Sequence, residues 1–151
     1  MTQQAMHWQC LAFPGLSTKR LYEILKIRQE VFAVEQDCVY LDVDGKDMDA
    51  LHVFATRDDE LIAYCRILPP GLKYPEASIG RVLTTSAARG SGAGRALMDY
   101  ALAACTKHHP GRGIRISAQL YLEEFYHSFG FASCSLPYPE DGIPHIEMLK
   151  P

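Results

Sequence analysis

The chain has 151 residues, with 48% hydrophobic and 22% charged side chains, and 15 Lys plus Arg against 18 Asp plus Glu give a formal net charge of −3. This is the ordinary balance of a soluble globular protein, and it excludes a disordered tail, a collagen-like repeat and a coiled-coil rod. The basic footprint of a nucleic-acid-binding surface is absent, and the length predicts one domain, residues 1–151, large enough to fold without disulfides or a structural metal.

In chain order, His7 to Phe13 reads as a first strand stopped by Pro14-Gly15. Ser17 or Thr18 is placed to cap the helix that follows, in which Leu21, Ile24, Leu25, Arg28, Val31 and Phe32 recur at helical spacing. Arg28 is out of place on that apolar stripe, because a buried lone guanidinium is costly and needs a carboxylate. Glu35, seven residues on and about the same face, and the acidic segment Asp42, Asp44, Asp47 and Asp49 are its candidate partners. Leu51–Thr56 and Leu61–Leu68 read as an antiparallel hairpin across Arg57-Asp58-Asp59-Glu60. Ala77–Thr85 reads as a strand and Arg89–His108 as a long helix turning Leu97, Tyr100, Ala101 and Ala104 inward. Ile114–Ala118 is a short strand, Leu122–Phe129 a short helix, and Phe131–Leu136 and His145–Leu149 are closing strands. The order β-α-β-β-β-α-β-α-β-β predicts an α/β (α+β) fold around a mixed central sheet.

Cys10, Cys38, Cys65, Cys105 and Cys134 stand singly, with no C-x-x-C pair, which predicts reduced thiols in a cytoplasmic protein. No histidine pattern of the H-E-x-x-H kind occurs, so no metal is expected. Met1 to Cys10 has no basic region followed by an apolar run, and no apolar stretch approaches the ~18 residues of a membrane span; neither a secretory leader nor a membrane partner is expected.

The sharpest local feature is a strand ending in Val82-Leu83-Thr84 that runs into Arg89-Gly90-Ser91-Gly92-Ala93-Gly94-Arg95 and a helix. The free amides of a helix start, with the positive end of its dipole, suit phosphate oxygens. A P-loop is excluded because no Lys-Ser or Lys-Thr pair follows the glycines. A dinucleotide fingerprint is excluded because Arg95 stands where its third glycine belongs. What remains is R-x-x-G-x-G at Arg89, Gly92 and Gly94, or else a glycine-loosened helix start without a ligand.

R-x-x-G-x-G after a strand resembles the pyrophosphate-binding motif of the Gcn5-related N-acetyltransferases, the GNAT superfamily. A second block, Gln119, Leu122, Phe125-Tyr126 and Gly130-Phe131, resembles that family's N-x-x-A-x-x-x-Y-x-x-x-G-F, with Gln119 in the Asn position and Leu122 in the Ala position. A narrower resemblance, to the ElaA-like branch, rests on Arg28-x-x-Val31-Phe32-x-Val34-Glu35-Gln36, Arg66-Ile67-Leu68-Pro69-Pro70-Gly71, Ile79-Gly80-Arg81-Val82, Ala118-Gln119 and Glu140-Asp141-Gly142-Ile143-Pro144-His145.

The resemblance implies the GNAT fold, with strands splayed to admit acetyl-CoA as co-substrate. It places the backbone of Val82, Leu83 and Thr84 beside the pantetheine arm and the amides of Arg89, Gly90, Ser91, Gly92, Ala93, Gly94 and Arg95 around the pyrophosphate. Gln119 would touch the cofactor from the next strand, and Tyr126 would protonate the departing thiolate. A backbone amide at Val82 or Leu83 is the expected oxyanion donor. Ser78 to Leu83 carries no acid, so the base is sought through water at Glu35, His52 or His145. Arg28, Phe32, Glu35, His52, Arg66 and His145 are the candidate acceptor-side residues, with an internal salt-bridge network of Arg28, Arg66 and the acids as the alternative for the charged ones. The implied function is acetyl transfer to a primary amine of an unidentified acceptor, direct within a ternary complex; the surface is compatible with a homodimer. Two other readings stand beside it. Arg28-x-x-x-Phe32, Asp42-x-Asp44-x-x-Asp47 and Arg66 resemble the N-terminal half of acyl-homoserine-lactone synthases, and a non-catalytic acyl-CoA-binding sensor would need only the cofactor residues.

Overall fold

The computed structural model describes residues 5–151. β1 (His7–Ala12), β2 (Leu51–Arg57), β3 (Glu60–Leu68) and β4 (Ser78–Thr84) form an antiparallel sheet in that order. Asp58 and Asp59 join β2 to β3 with φ of 53° and 62°, the paired left-handed geometry that matches the twist of a tight hairpin. Helix α1 (Thr18–Arg28) and helix α2 (Ala93–His108) cover opposite faces. Phe54, Tyr64 and Leu83 pack with Ile24, Ile27 and Val31, while Val53, Ala55 and Cys65 belong to a core with Leu97, Met98 and Ala101. Strands covered on both faces carry continuous apolar runs rather than alternation, as Leu61 to Cys65 does.

Ser17 caps α1 by accepting from the Arg20 amide at 3.0 Å. The helix then passes into a π-helical turn, Gln29–Glu35, whose i→i+5 bonding advances each side chain by less than an α-helical step. The phase of the apolar stripe therefore slips after Arg28.

A second antiparallel sheet contains β5 (Ile114–Gln119), β6 (Ala132–Ser133), β7 (Tyr138–Glu140) and β8 (Ile143–Lys150), with β8 pairing all three others. Helix α3 (Glu123–His127) packs Tyr126 into the same core as Ile116, Ile146 and Phe131. The sheets meet at one parallel bridge, Ala77 to Ile114, with Ala77 N 3.2 Å from Gly113 O and Arg115 N 2.9 Å from Ala77 O. Beyond it, no ladder joins β4 to β5 among the described residues, and the two strands part. The expected mixed sheet is built as two antiparallel sheets joined at a single parallel bridge.

Several boundaries differ from the sequence expectation. Helix α2 starts at Ala93 rather than Arg89, because Gly90 and Gly92, with φ of 81° and 83°, hold the preceding residues in a turn. The strand expected over Phe131–Leu136 shrinks to Ala132–Ser133, and β7 is an additional strand whose hairpin to β8 turns at Asp141-Gly142 (φ 51° and 78°). Tyr100, expected inward, is 51% exposed and stacks on Trp8 with ring centroids 4.7 Å apart. All five cysteines are free, and no helix among the described residues is long and apolar enough to cross a membrane.

Candidate active site

Where β4 and β5 part, two cavities of about 490 and 130 Å³ share a wall formed by Phe32, Gln36, Val82, Gln119, Leu122 and Tyr126. The wall exists because β4 is bulged. Leu83 pairs with Tyr64 and Gly80 with Arg66, so Arg81 and Val82 together face Cys65. A bulge leaves a residue outside the ladder and re-aims its neighbours. Arg81 takes φ of 52°, a left-handed conformation costing an L side chain about 1–2 kcal/mol. Asp42 holds it there, accepting from Arg81 Nε at 2.9 Å on Oδ1 and from Nη2 at 3.0 Å on its carbonyl.

The larger cavity runs from Val82, Leu83 and Thr84 to Gly94. Gly92 is the N-cap of α2 and no side chain caps the helix, which leaves its first amides available. A Cβ added at Gly90, Gly92 or Gly94 would meet nothing within 4 Å, so the turn faces open space; Ala93 beneath it is buried. Ser91 Oγ is occupied with the Ala88 carbonyl. Arg89 Nη2 donates to Glu35 Oε2 at 2.7 Å and to the Thr84 carbonyl at 3.2 Å. Glu35 therefore pairs with Arg89 and not with Arg28, a consequence of the π-helical phase slip. The Arg95 side chain also departs from expectation. It lies 4.6 Å over the Phe129 ring and donates to Ser128 Oγ at 3.1 Å, tying α2 to α3 instead of adding charge at the glycine turn.

Gln119, at the end of β5, donates from Nε2 to Gln36 Oε1 at 3.3 Å and lines both cavities. Tyr126, 6% exposed, also lines both, with its ring edge-on to Phe125 and Phe131. Burial raises its phenol above the ordinary range, so the hydroxyl keeps its proton.

Charged groups surround the smaller cavity. Arg28, fully buried, donates from Nε to Asp42 Oδ2 (2.9 Å), from Nη2 to the Asp42 carbonyl (2.9 Å) and from Nη1 to Asp47 Oδ1 (2.7 Å). Arg66 grips Asp44 with two bonds, 2.8 and 2.6 Å, and reaches Asp47 Oδ1 at 3.0 Å. Burial alone would raise the Asp44 and Asp47 carboxyls, but the guanidiniums outweigh it and hold both below the usual carboxylate range. Arg28 thus belongs to the internal network and lines neither cavity, whereas Arg66 and Phe32 do face the smaller one.

The two histidines separate. His52 Nε2 lies 2.9 Å from the Asp47 carbonyl, which only accepts, so Nε2 carries the hydrogen and Nδ1 accepts from Tyr64 Oη at 2.7 Å. Burial pushes its pKa down, and this satisfied imidazole touches neither cavity; it leaves the candidate site. His145 lines the smaller cavity, donates from Nδ1 to the Ile143 carbonyl at 2.7 Å and holds Nε2 3.3 Å from Glu140 Oε2. Ser117 Oγ donates to the other Glu140 oxygen at 3.3 Å. Gln36, Lys73, Arg81 and Glu140 are cavity residues that sequence reasoning did not assign to the site. The Asp141-Gly142 turn could have delivered Glu140, by folding it back toward His145; Lys73, in an irregular connection, carried no local signal.

The acetyltransferase (GNAT) domain model matches residues 22–151. The ElaA protein of Escherichia coli strain K12 is 43% identical over 147 residues, 96% of this chain and 96% of that protein. A UPF0039 protein of Synechocystis sp. is 44% identical over 145 residues, 95% and 94% of the two chains. Among solved structures, an acyl-CoA N-acyltransferase from Pseudomonas aeruginosa superposes with a TM-score of 0.93 at 42% identity, covering 97% of this chain and 100% of that one.

Proposed function

The chain belongs to the GNAT acetyltransferase family, in the branch of ElaA, and on that footing we propose that it transfers an acetyl group from acetyl-CoA to a primary amine, directly within a ternary complex. The observation that carries this reading is the conjunction of an uncapped, open-faced glycine turn with a cleft between parted strands. Acetyl-CoA supplies an activated acetyl thioester. The amides from Arg89 to Arg95 would hold its pyrophosphate, the backbone of Val82, Leu83 and Thr84 its pantetheine arm, and Gln119 would meet it from β5. Main chain does most of this work, so the displacement of the Arg95 side chain does not disable the turn.

Tyr126 Oη donates a proton to the departing thiolate, and the Val82 or Leu83 amide donates to the carbonyl oxygen as charge develops there. The amine must lose a proton before it can attack. Of the three relay groups, Glu35 is engaged by Arg89 and His52 is buried away from the cavities. His145 remains, lining the smaller cavity with Nδ1–H committed to the Ile143 carbonyl and Nε2 beside Glu140. The free cysteines support a cytoplasmic setting.

The Arg28, Asp42, Asp44, Asp47 and Arg66 pattern behind the acyl-homoserine-lactone-synthase reading is used up in internal ion pairs and so supports no substrate assignment. Calorimetric titration with acetyl-CoA, followed by free-thiol release across a panel of amines, tests the proposal. Saturable binding and acceptor-dependent thiol release are expected; absence of binding overturns it.

A further inference from the structure

The smaller cavity is bipolar. Arg66 and Arg81 line it, but Asp42, Asp44 and Asp47 already balance them and Arg28. Lys73 lines it too and makes none of the ion pairs found among the described residues. Its side chain stands at the rim, open to solvent on one side and desolvated on the other. Burial depresses its pKa, Glu140 opposes that, and Arg81, Arg66 and Lys46 add to it. The carboxylates of the same cavity, Glu140 and Asp141, sit on the turn between β7 and β8, beside His145.

From this arrangement we infer that the acceptor is a small amine that also carries a carboxylate, of the α-amino-acid type, with its acid on Lys73 and its amine toward Glu140 and His145. The inference rests on the acetyltransferase reading and narrows its substrate class. An ammonium that no carboxylate of the described residues pairs is satisfied by a carboxylate on the ligand. A bare cationic amine, or a lysine side chain presented by a protein, would instead bring a second positive charge up to Lys73. Size agrees, since a cavity of about 130 Å³ has room for several waters and so for the head of an amino acid. The transfer balances. The ammonium gives one proton through water to His145, and the nitrogen lone pair forms the C–N bond as the C–S bond breaks. The thiolate takes its proton from Tyr126, and the second proton, shed by the nitrogen as the amide forms, passes through water to recharge Tyr126.

The test sets each proteinogenic α-amino acid against its carboxamide and its decarboxylated amine, with acetyl-CoA and thiol release as the readout, and measures amino-acid binding directly by calorimetry. At least one amino acid should exceed its carboxamide by about tenfold or more in kcat/KM. Lys73→Gln should collapse that ratio toward one through KM and weaken amino-acid binding, with the acetyl-CoA Kd unchanged, and Lys73→Arg should restore part of it. Equal or better turnover of the decarboxylated amine overturns the inference. So does a Lys73→Gln protein with the full preference, or an enzyme that binds acetyl-CoA but neither binds nor acetylates any amino acid. Failure to bind acetyl-CoA defeats the acetyltransferase reading instead, and the calorimetric comparison of wild type with Lys73→Gln then still decides whether the cavity takes a carboxylate.

Discussion

Tyr126 combines a packing role with its place in the proposed chemistry. Its ring fills the contact with Phe125 and Phe131 while its position spans the wall between the cavities. Tyr126→Phe keeps the ring and removes the proton donor, so kcat should fall by about 10²–10⁴-fold with the acetyl-CoA Kd nearly unchanged. A sensor would lose neither quantity, and an unaltered kcat would remove Tyr126 from the chemistry. Because burial raises this phenol, its proton is retained above the ordinary tyrosine value of about 10, and deprotonation of Tyr126 should cause no alkaline fall in rate below that pH. Gly92 supports a matched test at the other end of the cleft. At φ of 83° it favours glycine, and Gly92→Asp adds bulk and negative charge where phosphate is expected. Calorimetry should show acetyl-CoA binding abolished while the far-ultraviolet circular dichroism persists. Tyr126 and the glycine turn were legible in the sequence because their spacing is local. Lys73 and Glu140 reach the cavity through tertiary folding, which no short window records.

The segment between the π-helical turn and β2 has little regular structure, only the short 3₁₀ turn Asp47–Asp49, and is held by charge. Asp42, Asp44 and Asp47 fasten it to α1 through Arg28, to β3 through Arg66 and to the bulge of β4 through Arg81. The sequence announced Arg28 as a misfit on an apolar face and the acids as its partners, and the network bears that out. Glu35 was placed wrongly because its seven-residue spacing assumes α-helical phase throughout, whereas Gln29–Glu35 is π-helical. Removing Arg28 takes from Asp42 and Asp47 one of their two guanidinium partners and leaves a buried excess of negative charge, so Arg28→Met should cost about 3–5 kcal/mol in urea denaturation. Acid should act on the same segment. Asp44 and Asp47 have pKa values lowered by folding, so the unfolded chain binds their protons more readily. Their contribution is complete above the unfolded value of about 3.9 and is lost as pH falls through the folded values. His52, also lowered, gives a contribution complete above about 6.5 that drains as the pH drops through its folded value. Urea midpoints should therefore decline from pH 7 toward pH 4 and steepen below it; a midpoint that rises on acidification would contradict this account.

At the scale of the whole molecule, the order of strands and helices as far as α3 was readable from periodicity, but β7 and the way the sheets meet were not. A parallel bridge of Ala77 with Ile114 joins positions separated by the whole of α2, and the sequence of neither strand states where pairing stops. That stopping point creates the cleft, while the buried core continues across it from Leu97 and Ala101 to Ile116, Ile146 and Met148. The two sheets are thus fused at one end and free at the other, and the proposed acetyl-CoA would supply between β4 and β5 the pairing that the fold omits. Binding to the native state alone adds about 2.7 kcal/mol at a free ligand concentration near 100 times Kd. For a chain of this size that corresponds to a Tm rise of about 5–10 °C. Acetyl-CoA should produce that rise, together with slowed amide exchange concentrated in β4, the Arg89–Arg95 turn and β5. The Gly92→Asp protein should show neither effect, because it keeps the open sheet edges and loses the anchor that holds the ligand between them. Protection spread evenly over β1 and β2 as well would mean that the ligand stabilises the molecule from some other site.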